Sequence, residues 1–274
     1  MQGFIQRALK FETLLGLFLA VALFVMFAAA LIHRREAPPL EVVEAVTALE
    51  PIVVFPDFSS FPDVDVKKQM FFDFLELYIA AENKKVALTR AQLMVFAEIT
   101  SRNFRLSHTE RRQLMTMARD YNVETEGVSE RRLVNELLKR VDIIPVSLAL
   151  AQAANESAWG TSRFALEGNN IFGQWCYEQG CGLVPTRRLS SATHEVRSFA
   201  TIESAVEAYF ENLNTHAEYE HFRELRFQMR GQKGELNSLV LAYGLAGYSE
   251  RGENYVDELQ TIIQQNGLRD RDYL

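Results

Sequence analysis

Cysteine is scarce in this sequence. The 274 residues include two cysteines, Cys176 and Cys181, and five histidines, of which His194 is the nearest to the pair. Two thiols cannot complete a tetrahedral zinc site alone, so the sequence argues against a structural metal. The close spacing permits a local disulfide if the compartment is oxidising; otherwise these are two free cysteines in a loop.

The chain also lacks a block of charge of one sign. Its 29 lysines and arginines stand against 36 acidic residues, which gives a net charge of −7. No basic cluster indicates nucleic acid as a partner. No glycine-rich phosphate loop of the Walker type is present, so nucleotide binding has no support either. No Ser-His-Asp order is discernible, and no cofactor is expected.

Proline is rare except in one stretch. Five of the seven prolines fall within residues 38–62. At that density proline blocks helices and favours stiff, extended backbone. Residues 36–62 are therefore predicted to form a tether. Its segment "IVVFPDFSSF" is apolar enough to lie along a domain surface.

Only one apolar run is long enough to span a bilayer. It covers residues 14–32, contains no charge, and is flanked by basic residues on both sides. Its length and the basic residues that follow favour a retained membrane anchor over a cleaved signal peptide, although alanines near its end would suit a cleavage site. A buried core helix is the third alternative. The flanking charges leave the orientation almost tied.

Helical periodicity begins after the prolines. Apolar residues at three- and four-residue steps predict four helices that begin near residues 64, 89, 107 and 129. Ser107 and Glu110 match a capping box at the start of the third, which is predicted to run to about Tyr121. The charged residues of the fourth are expected to form a solvated face. Pro145 suits the first turn of a further helix that runs to about Ser157.

The helical period stops after Gly173. Residues 183–188 and 194–199 are predicted to be the strands of a short hairpin. Three more helices are predicted over residues 201–216, 234–245 and 254–265. The predicted fold class is mainly α with a small β-hairpin lobe (α+β).

One glutamate stands in an alanine-rich helix end. Glu156 follows Ala149 by seven residues and Ala153 by three, so it borders the apolar face of its helix. Partial desolvation at such a position raises the pKa of a carboxyl group, and a carboxyl that stays protonated is what a general acid needs. From periodicity alone, a helix-capping role or an ion pair with Arg163 is at least as good an interpretation.

The surrounding residues point further. The segment "AQAANESAWGTSRFALEGNNIFG" resembles the glucosaminidase domain of peptidoglycan hydrolases, glycoside hydrolase family 73. That family carries an A-Q-x-x-x-E-S-x-W-G helix end followed by an N-N-x-F-G loop, and both motifs stand here in order. The resemblance covers residues 140–266. The matching residues are Gln152, Glu156, Ser157, Trp159, Gly160, Asn169, Asn170, Phe172 and Gly173.

The resemblance implies a lysozyme-like fold that cleaves the β-1,4 bond after N-acetylglucosamine in peptidoglycan. It assigns the general acid to Glu156. The second acid of the family lies on the hairpin lobe, where Glu195 is the best-placed candidate, with an exposed strand glutamate near Arg187 or Arg188 as the alternative. Tyr248 matches a Gly-Tyr position and would hydrogen-bond substrate or water, or else is a packed aromatic residue.

Other roles follow from the same two motifs. Trp159 offers a flat apolar face that would desolvate the acid and stack on a sugar ring. Asn169 and Asn170 would fix the loop, because asparagine tolerates left-handed backbone. Asn170 and Phe172 are expected to shape the cleft where the substrate binds without taking part in the chemistry.

Two mechanisms remain open from the sequence. Glu195 would act as general base on water, or the substrate's own 2-acetamido group would attack and no second carboxylate would be needed. A lytic transglycosylase or muramidase is the alternative enzyme, and a non-catalytic wall-binding module is the alternative of another class.

The expected organisation combines these predictions. Residues 1–35 are an anchor or signal segment and 36–62 a tether. Residues 63–140 are the helical N-terminal part of the globular domain, and 141–274 the catalytic domain. The expected partners are peptidoglycan glycan strands and, through the N-terminal helix, the membrane. The expected location is the cytoplasmic membrane, with a single span and the catalytic domain outside the cytoplasm.

Overall fold

The computed structural model of the protein describes residues 51–186, 188, 192–232 and 234–273. The predicted anchor and the first part of the tether lie outside these residues. Among the described residues, no helix has the length and apolar character to cross a membrane. Residues 49–274 group into one compact unit, so the predicted N-terminal helical part and the catalytic part share one body.

The described body is mainly helical, which confirms the predicted fold class. Nine α-helices and three short strands follow one another in the described residues. They are α1 (Val64–Ser101), α2 (His108–Asp120), α3 (Glu130–Arg140), α4 (Val146–Glu156), α5 (Arg163–Gly168), β1 (Trp175–Cys176), β2 (Gly182–Leu183), β3 (Glu195–Arg197), α6 (Ile202–Thr215), α7 (Glu220–Gln232), α8 (Ser238–Leu241) and α9 (Glu253–Gln265). Short 3-10 helices cover Phe58–Ser60, Ala217–Tyr219, Ala242–Tyr248 and Leu268–Tyr273.

Helix α4 is the centre of the body. Every residue from Ser147 to Ala154 is buried, because α1, α9 and the C-terminal 3-10 helix pack around it. Its alanines allow these neighbours to approach closely. A helix that is apolar on all sides belongs in the core, and the burial exceeds the single apolar face that the sequence predicts.

Helix α1 corrects one prediction. The sequence suggests two helices that begin near residues 64 and 89, but the structure contains one continuous helix of 38 residues. The intervening "AENKKVAL" has neither proline nor glycine and consists largely of good helix formers, so nothing interrupts the backbone hydrogen bonds. The capping box of α2 is confirmed: the Ser107 side chain accepts from the Glu110 N–H, and Glu110 bonds back to the Ser107 N–H.

Two helices escape the sequence prediction. Helix α5 has only six residues, too few for a periodic pattern. Helix α7 carries polar and charged residues around much of its surface, and its buried residues include two arginines, Arg223 and Arg226. Arg226 is fully buried, and its guanidinium donates to backbone carbonyls at the end of α3, including that of Arg140 at 2.9 Å. A prediction based on the spacing of apolar residues misses a helix that is fixed to the core by such hydrogen bonds.

The β lobe also differs from the predicted hairpin. It is a three-stranded antiparallel sheet in the order β1–β3–β2. The second strand is Gly182–Leu183, shorter than the predicted 183–188, and β1 was not predicted. Strands of two or three residues are too short for an alternating pattern to be recognised.

The described part of the tether packs on the body. Phe55 and Phe58 are buried, and the Ile202 N–H donates to the Ile52 carbonyl at 3.1 Å. This placement agrees with the expectation that residues 52–61 lie along a domain surface.

Candidate active site

Glu156 is the last residue of α4 and is partly buried. Its Oε1 atom is buried and forms no hydrogen bond with any residue that the structure describes. Burial raises the pKa of this carboxyl group; the Tyr255 hydroxyl and the charge of Arg251 counteract the rise, and Glu258 adds to it. The net direction of the pKa shift is upward, which favours the protonated form that a general acid needs.

The chain turns sharply after Glu156. Ala158, Trp159 and Gly160 have φ values of 50°, 59° and 75°, three consecutive residues in the left-handed region. Two of them are not glycine, which costs roughly 1–2 kcal/mol each. Ser157 stabilises the turn: its hydroxyl donates to the Ala153 carbonyl at 2.6 Å and accepts from the Gly160 N–H at 2.8 Å. The serine of the motif is therefore a turn-forming residue.

Gly160 is needed for space as well as for its backbone angles. A β-carbon added there would lie 2.7 Å from a ring carbon of Phe55 and 2.9 Å from one of Phe58. Both phenylalanines belong to the described part of the proline-rich tether. The residues upstream of the helical body therefore support the turn that follows the acid.

The asparagine pair ties the next loop in place. Asn169 has a left-handed backbone, and its Nδ2 donates to the carbonyls of Val53 at 2.8 Å and Phe199 at 3.0 Å. Asn170 Nδ2 donates to the carbonyls of Gln174 at 2.8 Å and Arg197 at 2.7 Å. These four bonds connect the loop to the β lobe and to the segment before α1.

The loop ends against the acid. A β-carbon added to Gly173 would lie 3.0 Å from Oε2 of Glu156. Phe172 is fully buried and stacks on Tyr209 with ring centroids 3.9 Å apart. Tyr248 donates its hydroxyl to the Phe172 carbonyl at 2.7 Å. The ring stack of Phe172 and the hydrogen bond from Tyr248 thus fix the position of the loop. Gly173 leaves room for the Glu156 carboxyl group.

A chain of buried hydroxyl and amide groups leads to Glu156. Tyr209 donates to Oε1 of Gln152 at 2.6 Å, and Nε2 of Gln152 donates to the Tyr255 hydroxyl at 3.0 Å. Because Tyr255 accepts from Gln152, its own hydroxyl hydrogen is available to the Glu156 carboxyl group. Burial, and then the negative charge of Glu156, raise the pKa of Tyr255 well above its usual value, so it remains a donor.

Charged groups complete the environment of the acid. Arg251 and Glu258 form an ion pair, and Asn155 donates its amide to Glu258 at 3.1 Å. The Arg251 guanidinium also lies 5.2 Å from the centre of the Tyr255 ring. These residues place one positive and one negative charge near Glu156, with opposite effects on its pKa.

Glu195 occupies a different setting on the β lobe. It is 5% exposed, and its two carboxylate oxygens accept the N–H groups of Gly180 at 3.1 Å and Gly182 at 2.9 Å. These bonds lower the pKa of Glu195. Cys176 and Cys181 form a disulfide that closes the same loop, so Glu195 and the disulfide hold one structure together.

Trp159 lies on the other side of the turn. Its ring contacts the edge of Phe72 at a centroid distance of 5.4 Å and lies near Phe71 at 6.2 Å. The ammonium group of Lys68 is 5.0 Å from the ring centre. Helix α1 therefore takes up much of the indole surface.

Comparison with known proteins adds the family. Residues 131–268 match the glucosaminidase family, described as mannosyl-glycoprotein endo-beta-N-acetylglucosaminidase. The chain belongs to this family. It is also 33% identical over 213 residues to Protein bax of Escherichia coli (strain K12), a match that covers 77% of this chain and 74% of that protein. No solved structure matches the chain.

The glucosaminidase domain brings together the residues of both motifs. Glu156 and Gly173 meet directly, Asn170 secures the loop between them, and Phe172 and Tyr248 support it. Glu195 bonds to its own lobe. Among the described residues, no group of three or more histidine, cysteine or acidic side chains is arranged to hold a metal ion.

The sequence analysis missed the residues that surround the acid. Tyr255, Arg251 and Glu258 lie in the C-terminal segment, about 100 residues from Glu156, and their approach depends on the packing of α9 against α4. The sequence analysis includes Gln152 among the motif residues but assigns no role to it. Its position four residues before Glu156 on one helix is the signal that could have assigned it to the same face.

Proposed function

We propose that this protein hydrolyses the glycan strands of peptidoglycan and that Glu156 is the general acid. The observation that carries the proposal is the setting of Glu156: a carboxyl group at a helix end, with a raised pKa, one buried oxygen without a partner among the described residues, and Gly173 against the other. Family membership supports a glycoside hydrolase. Glu156 would donate its proton to the leaving-group oxygen of the glycosidic bond.

The bond after N-acetylglucosamine is the proposed cleavage site. The glucosaminidase family match supports this choice over the neighbouring linkage. Purified peptidoglycan digested with the protein should release fragments with reducing N-acetylglucosamine ends in mass spectrometry. Reducing muramic acid ends would indicate a muramidase, and anhydro-muramyl ends a lytic transglycosylase; either product would overturn this assignment.

Glu156→Gln tests the acid itself. General acid catalysis contributes about 10²–10⁴-fold to a rate, so the variant should lose activity by at least about a hundredfold. Glu167→Gln is the matched control, since Glu167 is an exposed glutamate paired with Arg163. If Glu156→Gln digests peptidoglycan as fast as the control does, Glu156 is not the acid. If the wild type releases no fragment at any pH, a non-catalytic binding module is the better description.

For the attack on the anomeric carbon we favour the substrate's own 2-acetamido oxygen, which would bond to that carbon as Glu156 protonates the departing glycosidic oxygen; water would then open the resulting ring. Both oxygens of Glu195 already accept backbone N–H groups, so a role as general base on water would compete with these bonds. In the assisted route no second carboxylate is required. Glu195→Gln should then retain activity within about one order of magnitude, far from the loss expected for removal of a general base. A loss equal to that of Glu156→Gln would support two-carboxylate chemistry.

We also propose that the catalytic domain works outside the cytoplasm and is held there by residues 14–32. The Cys176–Cys181 disulfide supports this, because such bonds persist in oxidising compartments, and peptidoglycan lies beyond the membrane. Protease added to intact spheroplasts should degrade the domain. A domain that is degraded only after lysis would refute the proposal.

A further inference from the structure

The β lobe presents aromatic side chains to solvent. Trp175 is 53% exposed and Tyr177, two residues later, is 71% exposed. Exposed large apolar side chains that stand close together mark interaction sites more often than single ones do. Neither residue belongs to the two motifs, and neither has a role in the chemistry described above.

These side chains stand on a cross-linked loop. Cys176, between the two aromatic residues, is bonded to Cys181. Trp175 pairs with Val196 in the sheet, and the Arg197 N–H donates to the Gln174 carbonyl at 2.9 Å. A rigid support reduces the ordering cost when a ligand binds.

One face of Trp175 is already covered by another ring. His194 stacks on it with ring centroids 4.2 Å apart and an interplanar angle of 10°. Since more than half of the Trp175 side chain remains exposed, the opposite face is open to solvent. Trp175 and His194 together form a flat stack, and the face of the stack that is open to solvent is the indole of Trp175.

The backbone that carries this surface passes close to the candidate acid. Gly173 lies against Glu156, and Trp175 follows Gly173 by two residues. Two residues span at most about 7 Å between their α-carbons. The indole therefore belongs to β1, which begins two residues after the glycine that contacts Glu156.

The other tryptophan is less available. Trp159 is partly buried and is in contact with Phe72 and Lys68. Of the two indoles, Trp175 has the more accessible face.

We propose that Trp175, backed by His194, binds a sugar ring of the glycan strand beside the bond that Glu156 protonates, and that Tyr177 extends this surface to a further sugar. The C–H groups on one face of an N-acetylhexosamine ring form an apolar surface that fits an open indole, and an amphipathic ring suits a ligand that is polar at its edges. The inference rests on the proposed function, because it takes the glycan as the ligand.

The test measures binding apart from cleavage. The full chain carrying Glu156→Gln is titrated with a soluble N-acetylglucosamine pentamer by calorimetry, and Trp175→Ala and Trp175→Phe are each added to it. Phe104→Ala is the matched control, because Phe104 is an aromatic residue of similar exposure, at 56%, just after α1. Peptidoglycan cleavage by the wild type and by Trp175→Ala is measured in parallel.

Trp175→Ala should weaken binding about tenfold, which corresponds to about 1.4 kcal/mol. Trp175→Phe, which keeps a flat ring, should lie between Trp175→Ala and the parent, and Phe104→Ala should bind as the parent does. Unchanged melting temperatures show that the variants are folded. Because Trp175→Phe keeps an aromatic ring at this position, it provides the result if Trp175→Ala does not fold.

Two outcomes overturn the inference: Trp175 variants that bind as the parent does, or a Glu156→Gln protein that does not bind the pentamer. Either result can occur while the wild type cleaves peptidoglycan. In that case the proposed function is retained and the sugar-binding role of Trp175 is rejected. If the wild type cleaves no peptidoglycan but Trp175→Ala weakens binding, the proposed hydrolysis fails and the sugar-binding surface is retained.

Discussion

Gly173 lies so close to Glu156 that a β-carbon added to the glycine would be 3.0 Å from Oε2 of the acid. That separation is tighter than ordinary van der Waals contact, so a side chain at this position would move the carboxyl group by a few tenths of an ångström. The glycine of the second motif is thus a spatial requirement of the glutamate of the first.

Gly173→Ala should reduce kcat strongly. A displacement of about 1 Å in a catalytic group can cost about a hundredfold in rate. The smaller shift at Glu156, together with the strain of alanine at a φ of 65°, leads us to expect a loss of about tenfold. Gly127→Ala is the control, because Gly127 has a similar φ of 69° but nothing within 4 Å of an added β-carbon. Both variants should lose comparable stability in thermal unfolding. Equal activities of the two variants would show that the contact with Glu156 does not matter.

The charges near Glu156 should move the pH profile in opposite directions. In the proposed mechanism Glu156 acts while protonated, so activity should fall as pH rises through its pKa. Arg251→Gln removes a charge that lowers this pKa, and the alkaline limb of kcat/KM should move to higher pH. Glu258→Gln removes a charge that raises it, and the limb should move to lower pH. Arg102→Gln, at an exposed ion pair with Glu98, is the control. Shifts in the same direction would contradict this account.

Tyr255→Phe should raise the pKa of Glu156, because the Tyr255 hydroxyl lowers it in the wild type. The alkaline limb should therefore move upward, as with Arg251→Gln. Removal of the hydroxyl also leaves Nε2 of Gln152 without its acceptor, and an unsatisfied buried donor costs about 1–3 kcal/mol. Thermal unfolding and a pH–rate profile of the same variant measure the two effects. An unchanged profile with reduced stability would leave Tyr255 a purely structural role.

Glu156→Gln should increase stability and abolish activity. The pKa of Glu156 is raised in the folded protein, so the stabilisation that the protonated acid contributes is complete below its ordinary pKa and is lost as pH rises through the folded pKa. Glutamine does not titrate, so the melting-temperature advantage of the variant should grow with pH. Each kcal/mol corresponds to about 2–4 °C for domains of this size. An advantage that is independent of pH would contradict the raised pKa.

The C-terminal segment should stabilise the helix that carries the acid. Pro145, the residue before α4, offers no side-chain cap. Asp272 instead accepts the Ser147 N–H at 2.8 Å and the Ser147 hydroxyl at 2.7 Å. Asp272→Ala should lower stability by about 1 kcal/mol, as the loss of a helix cap does. Asp270→Ala, at an exposed position of the same 3-10 helix, should leave stability unchanged. Equal melting temperatures of the two variants would rule out the cap.

Local features were predictable where neighbouring residues supply the interaction. The capping box of Ser107 and Glu110 joins residues three apart, and α6 shows a regular apolar stripe that is buried in the structure. The Glu-Ser-x-Trp-Gly turn is local in the same way, because Ser157 bonds to Gly160 within it. The Asn-Asn-x-Phe-Gly loop was indicated by its resemblance to the family, since its asparagines bond to residues outside the motif, among them Gln174 and Val53.

The sequence by itself determined the helical class and the family, and it singled out Glu156 as the candidate acid. Only the tertiary structure decided what surrounds the acid: Tyr255 and Arg251 approach it from about 100 residues away, Phe55 and Phe58 fill the space beneath Gly160, and Asp272 caps α4 from the far end of the chain. The tertiary structure also places both carboxylate oxygens of Glu195 in hydrogen bonds with the loop of the β lobe, and it leaves the Trp175 side chain exposed to solvent. The physical reason is that periodicity reports which face of an element is apolar, whereas the partner of a buried polar group depends on which elements pack together.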